Sequence, residues 1–187
     1  MEMTGSQRIA LPQQRVWDAL NDPEILKACI PGCDSVERTA DNEYRIAMTA
    51  AVGPVKARFN GKLVLSNVNP PQSYTLSFEG SGGAAGFGKG GSDVRLRPEG
   101  AETVLDYTAR ATVGGKLAQV GSRLIDGVAK KMAQDFFTRF NATVAPAAAG
   151  EQAPGHAAED VRGPWIWVVL AGLAVALYAV WAMRHAL

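Results

Sequence analysis

The sequence predicts an α+β fold, a curved antiparallel sheet of about seven strands around one long C-terminal helix, followed by one transmembrane helix. Three patterns support this prediction. Apolar and polar residues alternate with a period of two in four segments between residues 44 and 113. Residues 116–140 carry apolar side chains every three or four positions, the spacing of an amphipathic helix. Residues 165–183 contain no charged residue.

The alternation is clearest in residues 55–65. Apolar side chains take one phase, and Lys56, Arg58, Asn60 and Lys62 take the other. Such clean alternation predicts one packed and one solvated face, which is typical of antiparallel sheets. Turn-forming residues separate the predicted strands, at 40–42, 53–54, 69–71 and 98–100.

Helices are predicted at both ends of the sheet segment. Pro12 begins a short helix, and the segment Asn21-Asp22-Pro23-Glu24 caps a second one. The last helix, 116–140, would be about 37 Å long, enough to cross a domain. Its predicted apolar stripe is Leu117, Val120, Leu124, Val128, Met132, Phe136 and Phe140. A curved sheet wrapped around one helix is the helix-grip arrangement, whose interior commonly holds an apolar ligand.

Composition excludes several classes of function. The chain of 187 residues has 19 basic and 18 acidic residues, so it lacks the positive charge that nucleic-acid binding requires. Both histidines, His156 and His185, lie beyond the predicted domain. That domain therefore cannot hold a serine–histidine or cysteine–histidine nucleophile, or a histidine-ligated metal. Cys29 and Cys33 are too few for a disulfide framework and are expected to be packed, inert thiols.

The composition also divides the chain into three parts. Residues 1–141 form the predicted domain, and 142–164 form a linker in which 14 of 23 residues are Ala, Pro or Gly. Residues 165–183 would span about 28 Å as a helix, the thickness of a bilayer core, with tryptophan or tyrosine near each end. The first twenty residues contain no apolar run of signal-peptide length. We therefore expect a single-pass C-terminal anchor in the cytoplasmic membrane, with the domain facing the cytoplasm.

The glycine-rich segment Gly80–Gly91 is predicted to be a flexible hairpin loop. It contains partial matches to two phosphate-binding motifs, but the strand-like residues 94–97 follow it where both motifs require a helix. Nucleotide binding is therefore not expected. Phe87 is either an ordinary loop residue or an apolar tip that covers a pocket or contacts a partner.

Three segments carry a resemblance to a known family. The runs VWDALNDPEILKACIPGCDSVER, AVGPVKARFNGKL and LDYTARATVGGKLAQVGSRLIDGVAKKMAQDFF resemble the CoxG family, the G subunits of carbon monoxide dehydrogenase, in the START/Bet v 1-like superfamily. The resemblance covers about residues 3–140. It implies an accessory protein, not an enzyme, that recruits a molybdenum hydroxylase of the CO dehydrogenase type to the cytoplasmic membrane. It also implies a role in passing electrons to quinone.

The leading hypothesis is therefore a membrane-tethered adaptor or carrier that binds a hydrophobic molecule, with quinone as the expected ligand and no covalent cofactor. A quinone needs apolar walls and one or two hydrogen-bond donors. Tyr107 is the expected donor, because it alternates in phase with Leu105 and Ala109. The other expected ligand-binding residues are Phe59, Leu76, Phe78, Leu105, Ala109, Leu124, Val128 and Met132.

Interface energy is concentrated in aromatic and arginine side chains, so Phe87, Arg95 and Arg97 are the expected partner-binding residues. Two alternatives remain open. One is an enzyme of the same superfamily, such as a cyclase or hydratase, that works in the cavity. The other is a pure tether whose interior is filled by its own side chains. Neither catalytic nor metal-binding residues are assigned.

Overall fold

A computed structural model describes residues 1–150 of the chain. Seven strands and four helices follow one another in the order β1-α1-α2-β2-β3-β4-β5-β6-β7-α3-α4. The strands are β1 Glu2–Ile9, β2 Cys33–Ala40, β3 Glu43–Val52, β4 Val55–Asn69, β5 Ser73–Ser81, β6 Phe87–Glu99 and β7 Glu102–Gly114. The helices are α1 Gln13–Leu20, α2 Pro23–Cys29, α3 Lys116–Gln119 and α4 Ser122–Gly150.

The strands form one antiparallel sheet in the order β1-β7-β6-β5-β4-β3-β2. Strands β2 to β7 follow each other as neighbours, and β1 closes the sheet by pairing with β7, with Glu2 opposite Arg110. The α+β fold and the seven-stranded antiparallel sheet predicted from the sequence are confirmed. The predicted turns also lie between the observed strands.

The inner face of the sheet packs on the second half of α4 and on α1. Phe140 of α4 is 0% exposed, and the ring of Phe137 stacks on Tyr107 of β7 with the ring centroids 5.6 Å apart. Trp17 of α1 meets Tyr74 of β5 edge to face at 5.5 Å. These aromatic contacts close one end of the fold.

The sequence analysis predicted a loop over the whole of Gly80–Gly91, and this prediction is wrong for most of the segment. Strand β5 continues to Ser81 and β6 begins at Phe87, so only five residues connect them. Three of these five form a short 3-10 helix, Gly83–Ala85. The glycines on either side pair within the sheet, with Gly80 opposite Gly88 and Phe78 opposite Gly90.

The predicted helix 116–140 differs from the observed one at both ends. Gly121 adopts φ +92°, a left-handed conformation that breaks the helix into α3 and α4. Helix α4 continues to Gly150, nine residues into the segment predicted as a linker, and its Val144 is buried. Within residues 1–150 no helix is long and apolar enough to cross a membrane. The predicted anchor, 165–183, lies outside the described residues.

Candidate functional site

A row of glycines crosses the inner face of the sheet. Gly61 of β4 lies opposite Gly80 of β5, which lies opposite Gly88 of β6. Gly90, two residues along β6, continues the row, and a Cβ there would collide with the Arg110 carbonyl oxygen of β7. We call Gly61, Gly80, Gly88 and Gly90 the glycine floor. It leaves the centre of the inner face without side chains.

The glycine floor is the base of an open cleft. Phe78, which lies opposite Gly90 and points to the inner face, is still 36% exposed. A Cβ added at Gly88 would have only the Val113 Cγ1 atom nearby, at 3.9 Å. A Cβ at Gly80 would meet only backbone atoms, at 3.7 Å. Both positions therefore face room that a side chain or a bound molecule could occupy.

The first half of α4 forms the opposite wall of the cleft. Exposure along this helix rises from 0% at Phe140 and 9% at Phe137 to 42% at Leu124. Leu124 lies beside the β3–β4 turn, where a Cβ on Gly53 would come within 2.8 Å of its Cδ2 atom. Because a helix turns by about 100° per residue, Leu124 is rotated about 160° from Phe140. The predicted stripe therefore winds around the helix instead of following one face.

The structure places the expected ligand-binding residues in two groups. Leu76, Leu105 and Tyr107 belong to the packed end of the fold, where Leu105 is buried and the other two pack against the core. The remaining residues are half-buried or exposed: Phe59, Phe78, Ala109, Leu124, Val128 and Met132. The ring of Phe59 covers Gly82, where a Cβ would lie 2.5 Å from its Cε1 atom.

Tyr107 marks the boundary between the packed end and the cleft. Burial raises the pKa of its hydroxyl, so the group stays protonated and able to donate. Among the described residues no hydrogen-bond partner of this hydroxyl is found. The hydroxyl lies over Gly5 of β1, on the opposite side of β7 from β6 and the glycine floor.

Two polar groups on α4 were missed by the sequence analysis. The Oδ1 atoms of Asp126 and Asn141 are buried and have no hydrogen-bond partner within the described chain. Asp126 lies seven residues before Ala133 and fourteen before Phe140, so all three share one side of the helix. That spacing was the signal that would have identified it. No group of three potential metal ligands occurs in residues 1–150.

The expected partner-binding residues lie on the outer face of the sheet but do not form one patch. Phe87 is 46% exposed, and its ring lies over the backbone of Gly114. Arg95 and Arg97 are eight and ten residues further along β6, about 26 Å and 33 Å away. Arg97 also binds Asp106, with its Nε atom 2.9 Å from the carboxylate.

Three depressions on the outer face of the sheet have volumes of about 950, 710 and 770 Å³. Their walls carry mostly charged and polar side chains, several of which are paired with each other, such as Lys62 with Glu43 at 2.9 Å. These depressions lie between solvated side chains of the polar face. The apolar walls are those of the inner cleft.

The two cysteines have the environments expected of packed thiols. Cys29 is buried, with its sulfur 3.8 Å from the Thr143 hydroxyl, and burial raises its pKa. Cys33 is half-buried, and burial raises the pKa of its thiol too. Neither thiol has the lowered pKa that a nucleophile or a metal ligand requires.

Comparisons with known proteins agree with this geometry. The family model for CoxG, the G subunit of carbon monoxide dehydrogenase, matches residues 5–145. The chain is similar to a conserved protein from Geobacillus kaustophilus, with 33% identity and a TM-score of 0.74 over 79% of this chain and 97% of that one. No curated protein matches the chain.

Two more distant structures share the fold. A START superfamily protein from Mycobacterium smegmatis is 12% identical with a TM-score of 0.60, over 78% of this chain and 98% of that one. The Zhui aromatase/cyclase from Streptomyces sp. R1128 is 12% identical with a TM-score of 0.61, over 82% of this chain and 99% of that one. At these identities the likeness shows the fold alone.

Proposed function

We infer, because this chain belongs to the CoxG family of carbon monoxide dehydrogenase G subunits, that it is a ligand-binding accessory protein and not a catalytic subunit. The observation that supports this function best is the open cleft over the glycine floor. An inward-facing phenylalanine that remains 36% exposed, beside positions with room for a side chain, is what a binding cleft requires.

The proposed ligand is a quinone. The walls of the cleft are apolar, which suits a ring and a long hydrocarbon tail. Tyr107, the expected donor for a carbonyl oxygen, lies at the packed end with its hydroxyl over Gly5. Burying apolar ligand surface contributes roughly 25 cal/mol per Å², so a tailed molecule needs few polar contacts. The sequence pattern of residues 165–183 supports a membrane anchor, which would hold the cleft near the bilayer where quinones reside.

The proposed protein partner is a molybdenum hydroxylase of the CO dehydrogenase type, as the family description implies. The protein would tether that enzyme at the cytoplasmic face of the membrane and bring quinone to it. Phe87 remains the proposed aromatic contact, because aromatic side chains are enriched among the residues that dominate interface energy and its ring is 46% exposed.

An enzymatic function is the second candidate. The protonated hydroxyl of Tyr107 is a group that a cyclase or hydratase could use as an acid. One structural neighbour is an aromatase/cyclase by its description. Turnover of a polyketide or an enoyl substrate by the purified chain would establish this function in place of the carrier.

The main test compares two substitutions on neighbouring residues of β6. Gly88→Leu would place a side chain in the cleft, and Lys89→Leu would place the same side chain on the outer face. Each full-length chain is purified in mild detergent, extracted with organic solvent and analysed by mass spectrometry. We expect a quinone from the wild type and from Lys89→Leu, and none from Gly88→Leu, with similar melting temperatures for all three.

A large fall in the melting temperature of Gly88→Leu would contradict the cleft, since overpacking a solid interior costs typically 1–3 kcal/mol. Combined with the absence of any ligand in the wild type, that result would leave only the pure tether. Attachment is tested separately by deleting residues 164–187. The truncated protein should leave the membrane fraction after a high-salt wash, and its retention would disprove a sole C-terminal anchor.

A further inference from the structure

We propose that the end of the domain where Leu124 borders the cleft is a docking surface for an anionic phospholipid bilayer. We call this region the open end, and it consists of residues 51–58, 82–87 and 115–125. This inference rests on the proposed function, because it names the surface through which the cleft would take its ligand from the membrane. It starts from the contacts and the charges of these three segments.

Contacts between the three segments bring them to one end of the fold. A Cβ on Gly53, in the β3–β4 turn, would come within 2.8 Å of the Leu124 Cδ2 atom of α4. The ring of Phe59 in β4 covers the first residue of the β5–β6 connection. That connection also meets the segment after β7, since a Cβ on Gly115 would lie 2.6 Å from the Cα atom of Gly86. The three segments therefore form one continuous rim.

The open end carries basic residues and no acidic ones. Its segments contain Lys56, Arg58, Lys116 and Arg123 but no aspartate or glutamate, although the whole chain has 19 basic and 18 acidic residues. Arg58 pairs with Asp34 of β2 at 3.1 Å. The other three cations are exposed and form no ion pair within the described residues. We call these three, Lys56, Lys116 and Arg123, the basic rim.

The opposite end of the fold differs in charge. Successive turns of an antiparallel sheet alternate between its two ends, so the β2–β3 and β6–β7 turns lie opposite the open end. Asp41 and Glu43 lie at the first of these turns, and Glu99 and Glu102 at the second. The only cation contacted by both Glu99 and Glu102 in the described chain is Arg8, at 2.8 and 3.1 Å. An anionic surface would therefore attract the open end more than this one.

Exposed apolar residues accompany the cations of the open end. Leu124, which directly follows Arg123, is 42% exposed, and Pro54 in the neighbouring β3–β4 turn is exposed as well. Surfaces that bind lipid insert apolar side chains between the headgroups and keep cations at the headgroup level. Two of the three rim cations are lysines, which anionic bilayers attract but protein interfaces are depleted of. A bilayer therefore fits this surface better than an acidic protein does.

The direction of α4 explains why a second membrane contact is needed. The helix begins at Ser122 in the open end and extends for 29 residues, about 43 Å, to Gly150. The chain thus leaves the domain far from the open end, and the anchor predicted in 165–183 would not by itself bring the cleft to the bilayer. Docking through the basic rim would let a tailed ligand enter the cleft with little of its chain exposed to water, and that exposure is what makes the transfer costly.

The test places a fluorophore at the open end of the full-length chain. Ala84→Cys, in the β5–β6 connection, is labelled with bimane, and Asn42→Cys, in the β2–β3 turn, is the control site. Both carry Cys33→Ser, because Cys33 is only half-buried. Each chain is reconstituted into nanodiscs with nitroxide-headgroup lipid, in phosphatidylcholine alone or with added phosphatidylglycerol. We expect the anionic discs to increase the quenching at position 84 but not at 42. Salt at about 1 M should remove the increase, because charges are then screened beyond about 3 Å.

Two double variants test the assignment to the basic rim. Lys56→Glu with Arg123→Glu reverses two rim cations, and Arg45→Glu with Arg139→Glu makes the same change on β3 and α4 outside the open end. All four side chains are exposed. Each cation near an anionic bilayer strengthens binding about fivefold, so the rim variant should weaken docking by about twentyfold or more. It should lose the added quenching at position 84, and the control variant should keep it.

Equal quenching at position 84 in neutral and anionic discs would overturn the inference, and this comparison requires no charge variant to fold. The same result is expected if the open end instead fits an acidic protein. Added quenching that survives in the rim variant would overturn the assignment to Lys56 and Arg123. Solvent extraction tests the proposed function separately. Quinone extracted from a chain that does not dock refutes only the docking, and docking by a chain that yields no quinone supports the surface while refuting the proposed ligand.

Discussion

The ring of Tyr107 lies directly across the backbone of Gly5 on the neighbouring strand, so that a Cβ at position 5 would come within 2.5 Å of the tyrosine Cε1 atom. The two residues are opposite each other in the β1–β7 pair. Phe137 holds the ring from the other side. Gly5 is therefore a packing partner of Tyr107, and the ring cannot move aside.

Gly5→Ala should lower the free energy of unfolding by about 1–3 kcal/mol, because the added methyl group collides with a ring that is fixed on both sides. Urea denaturation measures the change. Gly80→Ala is the matched control, since its Cβ meets only atoms at ordinary contact distance. Equal stability of the two variants would contradict the close packing of Tyr107 on β1.

Thr103→Val should destabilise the protein by about 1–3 kcal/mol although the side chains have nearly the same shape. The Thr103 hydroxyl is fully buried and donates to the carbonyl oxygen of Leu11 at 2.7 Å, which joins β7 to the start of α1. The substitution leaves this carbonyl without its donor. Thr112→Val, on the exposed face of the same strand, should change the stability by less than about 0.5 kcal/mol.

Alanine substitutions at Gly121, just before α4, and at Gly127, within α4, should change the free energy of unfolding in opposite directions. Gly121→Ala should cost roughly 1–2 kcal/mol because Gly121 has φ +92°, where a Cβ is strained. Gly127→Ala should stabilise the helix by roughly 0.5–1 kcal/mol, since no atom lies within 4 Å of its added Cβ. Thermal and urea unfolding of both variants would check this, and the same sign for both would disprove the helix break at Gly121.

Asp106 should contribute to stability at neutral pH but not in acid. The Ser6 hydroxyl donates a hydrogen bond to its carboxylate, and the Arg97 guanidinium lies beside it. Both interactions lower the pKa of the Asp106 carboxyl in the folded protein. A lowered folded pKa gives stability that is present above the unfolded value of about 3.9 and is lost as the pH falls through the folded value.

Asp106→Asn should therefore reduce the free energy of unfolding at pH 7 by roughly 0.2–1 kcal/mol, because the carboxylate is partly exposed and screened by solvent. At pH 2 the difference between the variant and the wild type should be smaller than at pH 7. Urea titrations at both pH values, with and without added salt, measure the difference. A difference of the same size at pH 2 would assign the effect to packing and not to charge.

The sheet could be predicted from the sequence because its strands have one packed face and one solvated face. A half-buried strand alternates apolar and polar residues, as Val55, Ala57 and Phe59 do with the polar residues between them. The cap of α2 was also visible: the Asp22 carboxylate accepts the Glu24 amide at 2.8 Å, as the residue types imply. These features depend on short-range geometry. They need no knowledge of which strands become neighbours.

The glycine floor could not be predicted in the same way. Glycine is neither clearly apolar nor polar, so the alternation that identifies a strand cannot be followed across residues 80–91. A glycine-rich segment without alternation is therefore interpreted as a loop. The row also depends on the register of three strands, which brings Gly61 opposite Gly80. The predicted helical stripe failed for a different reason: a constant spacing of four drifts by about 40° per step, which turns Leu124 away from the side of Phe140.

The pairing of β1 with β7 has a consequence for biosynthesis. Glu2 and Arg110 are 108 residues apart in the chain, yet the Arg110 Nε and Nη2 atoms both bind the Glu2 carboxylate in the finished sheet. Strand β1 leaves the ribosome before all the other strands of the sheet and must wait, with its edge unpaired, until β7 has been made. Contacts between distant residues also slow folding in general. During that interval the unpaired edge of β1 is accessible to chaperones and to pairing with other nascent chains.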